Sequence, residues 1–143
     1  MRRRAPAALV LILALLVSVG CRRQQQGEAE SLAPAVSVSD IDLGRSLNPD
    51  RSIADNAASF KPSDTIYISV ATEGSASSAT LTAKWTYEDG QTVDQSTQTI
   101  SPTGPARTEF HISKPDGWPV GKYTVQVMLN GALAGTKEFE VAP

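Results

Sequence analysis

The sequence predicts an all-β sandwich of about seven antiparallel strands, and three observations carry that expectation. Stretches in which apolar and polar residues alternate with period 2 recur throughout the chain after residue 35. Turn-forming residues separate them every ~8–12 positions. No segment places apolar residues at helical spacing over three turns.

Taken in order, Val36, Val38, Ile41 and Leu43 predict a first strand with an irregularity near Asp40, ended by turn material at Asn48-Pro49-Asp50. Ile53 to Ser59 reads as a loop or a short helical turn. Thr65 to Val70 is a half-buried strand, with Ile66, Ile68 and Val70 on one face and Thr65, Tyr67 and Ser69 on the other. After a Gly/Ser/Ala turn from Gly74 to Ala79, Thr80 to Tyr87 places Leu81, Ala83, Trp85 and Tyr87 inward. Asp89-Gly90 closes it as a hairpin turn that requires positive φ. Gln91 to Ile100 returns as a polar, Thr-rich strand suited to an edge, and Pro102 and Gly104-Pro105 end it. Arg107 to Ile112 directs Thr108, Phe110 and Ile112 to one side, and Pro115-Asp116-Gly117 with Pro119 forms the longest turn cluster. Tyr123, Val125, Val127 and Leu129 define the next strand, Asn130-Gly131 a second tight hairpin, and Phe139 and Val141 the inward face of the last strand.

The N-terminal region is of another kind. Met1 to Arg4 hold three arginines, and Ala7 to Val19 is apolar except for Ser18. Thirteen helical residues rise about 20 Å, short of a ~30 Å hydrocarbon core, so a cleaved leader over residues 1–20 is expected rather than a membrane span. The run ends at Val17-Ser18-Val19-Gly20-Cys21, and Cys21 is the one cysteine in the chain. This resembles the lipobox of bacterial lipoproteins, although Ser18 stands where that pattern usually has Leu, Val or Ile. The resemblance implies a diacylglycerol on Cys21, and Arg22 after it implies transfer to the periplasmic face of the outer membrane. Residues 21–35 then form a polar, lipidated tether, about 20 Å long as a coil, ahead of a domain over residues 36–143.

Composition narrows the partners. Residues 21–143 carry 10 Lys and Arg against 15 Asp and Glu, a formal charge of −5. No basic run follows Arg23, so nucleic acid is not an expected partner. With its one thiol acylated, the mature chain has no disulfide and must hold by packing.

Two local features sharpen the fold. Trp85 lies mid-strand on an apolar face, and Asp116-Gly117-Trp118-Pro119-Val120-Gly121-Lys122-Tyr123-Thr124-Val125 looks like a tyrosine corner leading into a strand. Residues 36–143 thus resemble immunoglobulin-like β-sandwiches, and in particular C-terminal domains of uncharacterised exported bacterial proteins. The resemblance implies that Tyr123 hydrogen-bonds back to its own turn. It also implies that an aliphatic contact between Val125 and Ile68 replaces the inter-sheet disulfide of antibody domains.

Chemistry is sparse. His111, the single histidine, falls between the inward Phe110 and Ile112 and should face solvent, which leaves no Ser-His-Asp set. One histidine and no free thiol do not build a zinc site. Asp40, Asp42, Asp50 and Asp55 lack the spacing of a calcium loop and read as exposed acids beside a strand. Glu88, Asp89 and Asp94 sit at a hairpin, where acids serve turn geometry rather than glycoside hydrolysis. No catalytic residue, metal or cofactor is therefore expected. Trp118 is the candidate ligand contact, either presenting its indole from the turn or capping the open end of the core, with Tyr67 and Tyr87 as weaker candidates. The polar strand from Thr92 to Thr99 reads first as a solvated sheet face, and as an alternative offers an edge to which a partner strand can add. The expected role is a non-catalytic interaction or structural module, held at the cell envelope through lipid on Cys21 and meeting another envelope protein. A carbohydrate- or peptidoglycan-binding module is the alternative, and an envelope protease inhibitor a third reading.

Overall fold

A computed structural model describes residues 35–143. The expected leader, Cys21 and residues 21–34 of the expected tether lie outside the described residues. None of the described residues forms a helix, and none therefore forms a helix long and apolar enough to cross a membrane.

Eight strands follow one another: β1 (Ser37–Gly44), β2 (Ser59–Phe60), β3 (Ile66–Glu73), β4 (Ala79–Tyr87), β5 (Gln91–Ile100), β6 (Ala106–Ile112), β7 (Gly121–Leu129) and β8 (Ala132–Val141). They form two sheets, one in the order β1-β3-β6 and the other in the order β2-β8-β7-β4-β5. Seven of the eight correspond to the alternating segments of the sequence, and all pairings among those seven are antiparallel.

Between the sheets lies one core, built by the inward half of each alternation. Ile66, Ile68 and Val70 of β3 and Phe110 and Ile112 of β6 face Leu81, Ala83 and Trp85 of β4, Val125 and Val127 of β7, and Phe139 and Val141 of β8. Ile68 and Val125, assigned to replace a disulfide, lie on opposite sheets and are both fully buried. An aromatic chain runs through this core. The Phe139 ring stacks on Tyr123 at 5.2 Å and meets Trp85 and Phe60 edge-on at 5.9 and 5.5 Å. Each such contact adds about 0.5–1.5 kcal/mol beyond the area it buries. Trp85 is wholly buried, and its Nε1 has no hydrogen-bond partner among the described residues.

The irregularity expected near Asp40 is a register shift between Val38 and Asp40, where the pairing with β3 gains a residue. Ser69 points away from the core yet is buried, because Arg107 of β6 reaches across β3, donating to Ser69 Oγ at 3.2 Å and pairing with Asp42 of β1 at 3.5 Å. Asn130 and Gly131 both take positive φ, 51° and 83°, as the tight turn between β7 and β8 requires.

Two local expectations are refined. Of the two readings of Ile53 to Ser59, the loop stands and the helical turn does not: Leu47 bridges Ile53, Gly44 bridges Asn56, and the chain then enters β2, which pairs in parallel with the end of β8. Backbone bonds hold the segment against the end of β1, Arg45 N–H donating to the Asp55 carbonyl, Ala54 N–H to Ser46 and Ala57 N–H to Leu43 at 2.9–3.0 Å. The Arg45 guanidinium adds to them, reaching Asp55 and Asp64 at 3.4 and 3.3 Å, donating to the Ser59 carbonyl and lying 5.4 Å from the centre of the Phe60 ring. In the β4–β5 turn, positive φ falls on Glu88 and Gly90 rather than on Asp89, because the loop has three residues, closed by Gly90 N–H donating to the Tyr87 carbonyl at 3.1 Å.

Candidate functional site

The polar strand β5 lies at the edge of the five-stranded sheet, as its sequence predicts. Eight of its ten residues are exposed, Val93 and Ile100 being the half-buried ones. Residues that pair with the inward Leu81, Ala83 and Trp85 are Gln98, Ser96 and Asp94. A strand polar on both faces is one that overhangs the core, and backbone pairing with β4 is what holds it.

The direction of its main-chain groups can be worked out from β4. Thr80 N–H donates to Asn130 Oδ1, and the Thr80 carbonyl accepts from Asn130 N–H, so both main-chain groups of Thr80 are turned to the β7 side. Alternation then turns Leu81 and Ala83 to β5, where they bond Gln98 and Ser96. Gln95, Thr97 and Thr99 are left with N–H and C=O pointing outward. Gln95 N–H is satisfied by the Asp94 carboxylate at 2.8 Å. Thr97 and Thr99 have no backbone partner on that side among the described residues. The register shift opposite Trp85 and Thr86 makes Val93 the extra residue of β5, which ends the regular ladder at Asp94.

Near the start of β5, a groove of about 330 Å³ is walled by Tyr87, Val93, Trp118 and Pro119, with Gln91, Thr92 and Lys114 at its polar margin. Its aromatics are already engaged. Trp118, the candidate ligand contact, is only 7% exposed, donates from Nε1 to the Asp64 carbonyl at 3.1 Å, and meets Tyr123 edge-on. Of the two placements that the sequence allows, the structure has the indole closing the end of the core, with an edge offered to the groove. Tyr87 is half-buried, lies 4.8 Å from the Tyr123 ring, and donates its hydroxyl to the Val120 carbonyl at 2.9 Å.

Tyr123 forms the corner that its sequence setting implies, donating to the Pro119 carbonyl at 2.7 Å. Burial pushes its hydroxyl up to about 12, helped by Tyr87 and Glu88 nearby. Glu88 accepts from Lys122 N–H at 3.2 Å, and its main-chain N–H bonds the Lys122 carbonyl, so this acid serves the turn.

The remaining polar candidates are dispersed. His111 faces outward, with Nδ1 3.0 Å from the Glu109 carboxylate and its ring 5.3 Å from Tyr67. Asp40 accepts from Ile41 N–H, Asp42 pairs with Arg107, and Asp55 pairs with Arg45. Asp50 is held below its usual carboxylate range by the Ser52 hydroxyl and Ser52 N–H. Among the described residues no three His, Cys, Asp or Glu side chains are grouped to hold a metal ion. Arg45 has the densest set of polar contacts in the loops, and only its position after Gly44 at the end of a strand hinted at it.

Comparison with known structures decides the class of sandwich. An immunoglobulin-like protein of Pseudomonas aeruginosa superposes with a TM-score of 0.53 at 15% identity, covering 76% of this chain and 98% of that one. The fold is immunoglobulin-like. An alkylpurine DNA glycosylase of Pseudomonas fluorescens, solved with DNA containing an abasic site analogue, matches at a TM-score of 0.50 and 20% identity. It covers 76% of this chain, which spans 30% of the glycosylase's length. Neither a protein-family model nor a curated protein matches the chain.

Proposed function

We propose that this chain is a membrane-anchored, non-catalytic interaction module of the bacterial cell envelope. The observation that carries the reading is the open edge of β5, where outward main-chain groups of Thr97 and Thr99 form a template for strand addition. The anchor in the reading comes from the lipobox-like run ending at Cys21. Catalysis finds little support: His111 touches Glu109 and Tyr67 on an outer face, and the turn acids are spent on backbone. DNA binding is not carried over from the glycosylase, since a formal charge of −5 on residues 21–143 repels phosphate.

Two measurements test the proposal. Mass spectrometry of the native product should find residue 21 as an acylated N-terminus, and an intact leader would remove the anchor. A photo-cross-linking residue at position 97 should capture a protein in native membranes, while one at position 111, on the other sheet, should not. Equal capture at both positions, or none at 97, counts against the edge as the interaction surface.

A further inference from the structure

We infer that the partner strand at β5 is β5 of a second copy of this chain, paired antiparallel about a two-fold axis through Thr97. This deepens the interaction reading and rests on it.

Four features of the edge point to self-pairing. The regular ladder with β4 runs from Asp94 to Ile100, seven residues with Thr97 at the centre. Its outward rungs are Gln95, Thr97 and Thr99, evenly spaced about that residue. A two-fold axis there sets Thr97 against Thr97 of the second copy, where the two exchange N–H···O=C bonds, and sets Thr99 against Gln95. The same operator places Ser96 beside Gln98; these side chains are exposed and uncharged, and because Thr97 Oγ1 already bonds Thr82 Oγ1 at 2.9 Å and Gln98 Nε2 donates to the Glu109 carbonyl at 2.6 Å, the pairing rests on the main chain.

Charge opposes self-association least at this edge. Two chains with a formal charge of −5 repel over most of their surfaces, but Asp94 is the single charged residue of β5. In this register Asp94 faces Ile100 of the other copy, so the two carboxylates stand about 20 Å apart, beyond a Debye length at physiological salt. Finally, the strand has no proline and no lysine, and its extra residue Val93 lies outside the seven-residue ladder. The one blocking contact, Asp94 on Gln95 N–H, withholds one donor from each of the two flanking Thr99–Gln95 pairs and leaves the central Thr97 pair open.

The joined product is a continuous ten-stranded sheet. Antiparallel pairing sends the two Ala35 residues to opposite ends of it.

Cysteine substitution of the full chain, purified alone in detergent, tests the register. Thr97→Cys should yield a disulfide-linked dimer on mild oxidation, because only this position faces itself at a Cα separation near 5.5 Å. Asp94→Cys and Ile100→Cys should stay at the level of the unsubstituted chain. Thr97→Pro removes an outward N–H and spares the main-chain ladder to β4, losing only the side-chain bond to Thr82, which Thr97→Val, with its N–H intact, loses as well. Thr97→Pro should abolish the dimer in sedimentation while leaving the far-ultraviolet circular dichroism unchanged, whereas Ser96→Pro should damage the fold. A monomeric parent chain, or a Thr97→Cys yield no greater than that of Asp94→Cys, overturns the self-pairing. If a photo-cross-linking residue at 97 then captures a different protein in native membranes, the interaction reading stands without the second copy. If it captures nothing, both fall.

Discussion

Tyr123 hangs its hydroxyl on the carbonyl of Pro119, 2.7 Å away, and so fastens the start of β7 to the turn that precedes it. The ring is at the same time a core residue, stacked on Phe139 and buried to 1% exposure. Tyr123→Phe keeps the stack and loses the bond, which should cost about 0.5–1.5 kcal/mol in chemical denaturation at neutral pH. The native hydroxyl, held at about 12 against 10.0 for an ordinary tyrosine, binds its proton more tightly folded than unfolded. Its share of stability is complete below pH 10 and drains away as pH rises from 10 towards 12. The phenylalanine variant should lack that alkaline loss, and parallel pH profiles for the two proteins would refute the assignment.

Gly121 marks a close approach. Its φ is 149°, and an added Cβ would collide with Glu88 Oε1 and come within 2.8 Å of the Tyr87 ring. Gly121→Ala should therefore destabilise the domain by about 1–3 kcal/mol, through backbone strain and displacement of the β4–β5 turn. Gly131→Ala provides the comparison, since its φ is also positive but nothing lies within 4 Å of the added carbon. Thermal melts should show the larger loss at Gly121.

Arg45→Ala should loosen one strand rather than the whole sandwich. The side chain is 39% exposed, so its two ion pairs are screened and count for little. The bond to the Ser59 carbonyl and the contact with Phe60 hold β2 in place. Hydrogen exchange should accelerate at the amides of Glu140 and Ala142, which donate to Ala58 and Phe60, and stay slow through β7. Arg45→Lys should resemble the alanine variant, because a compact ammonium does not span those separate acceptors.

Trp118 should behave as a core residue. Trp118→Ala is expected to cost about 3–5 kcal/mol in denaturant unfolding. Indole fluorescence of the parent chain should be unmoved by a panel of glycans. A saturable shift that disappears in Trp118→Phe would restore the ligand-contact role that the burial of this side chain argues against.

Strand positions were legible because each core strand declares its inward face within a few residues. Ile66, Ile68 and Val70 are an example, and one residue of slippage would expose all three. The polar pattern from Gln91 to Ile100 announced an edge for the converse reason. Segment 53–60 was opaque, since its course is held by main-chain bonds to residues 43–46 and to the end of β8, and by Arg45 contacts 10 to 19 residues away along the chain. Trp118 was ambiguous because an aromatic beside glycine and proline suits exposure and capping equally, and the choice rests on the Asp64 carbonyl 54 residues away.

Local alternation and turn chemistry by themselves determined that this chain is a β-sandwich, which strands fill its core, and that β5 runs along a rim. Only the tertiary structure decided which main-chain groups of that rim remain open, that the indole of Trp118 turns inward, and that Arg45 at the end of β1 reaches β2. The physical reason is range: side-chain period is set by adjacent peptide units, whereas hydrogen-bond satisfaction is settled between segments that meet after the chain has closed upon itself.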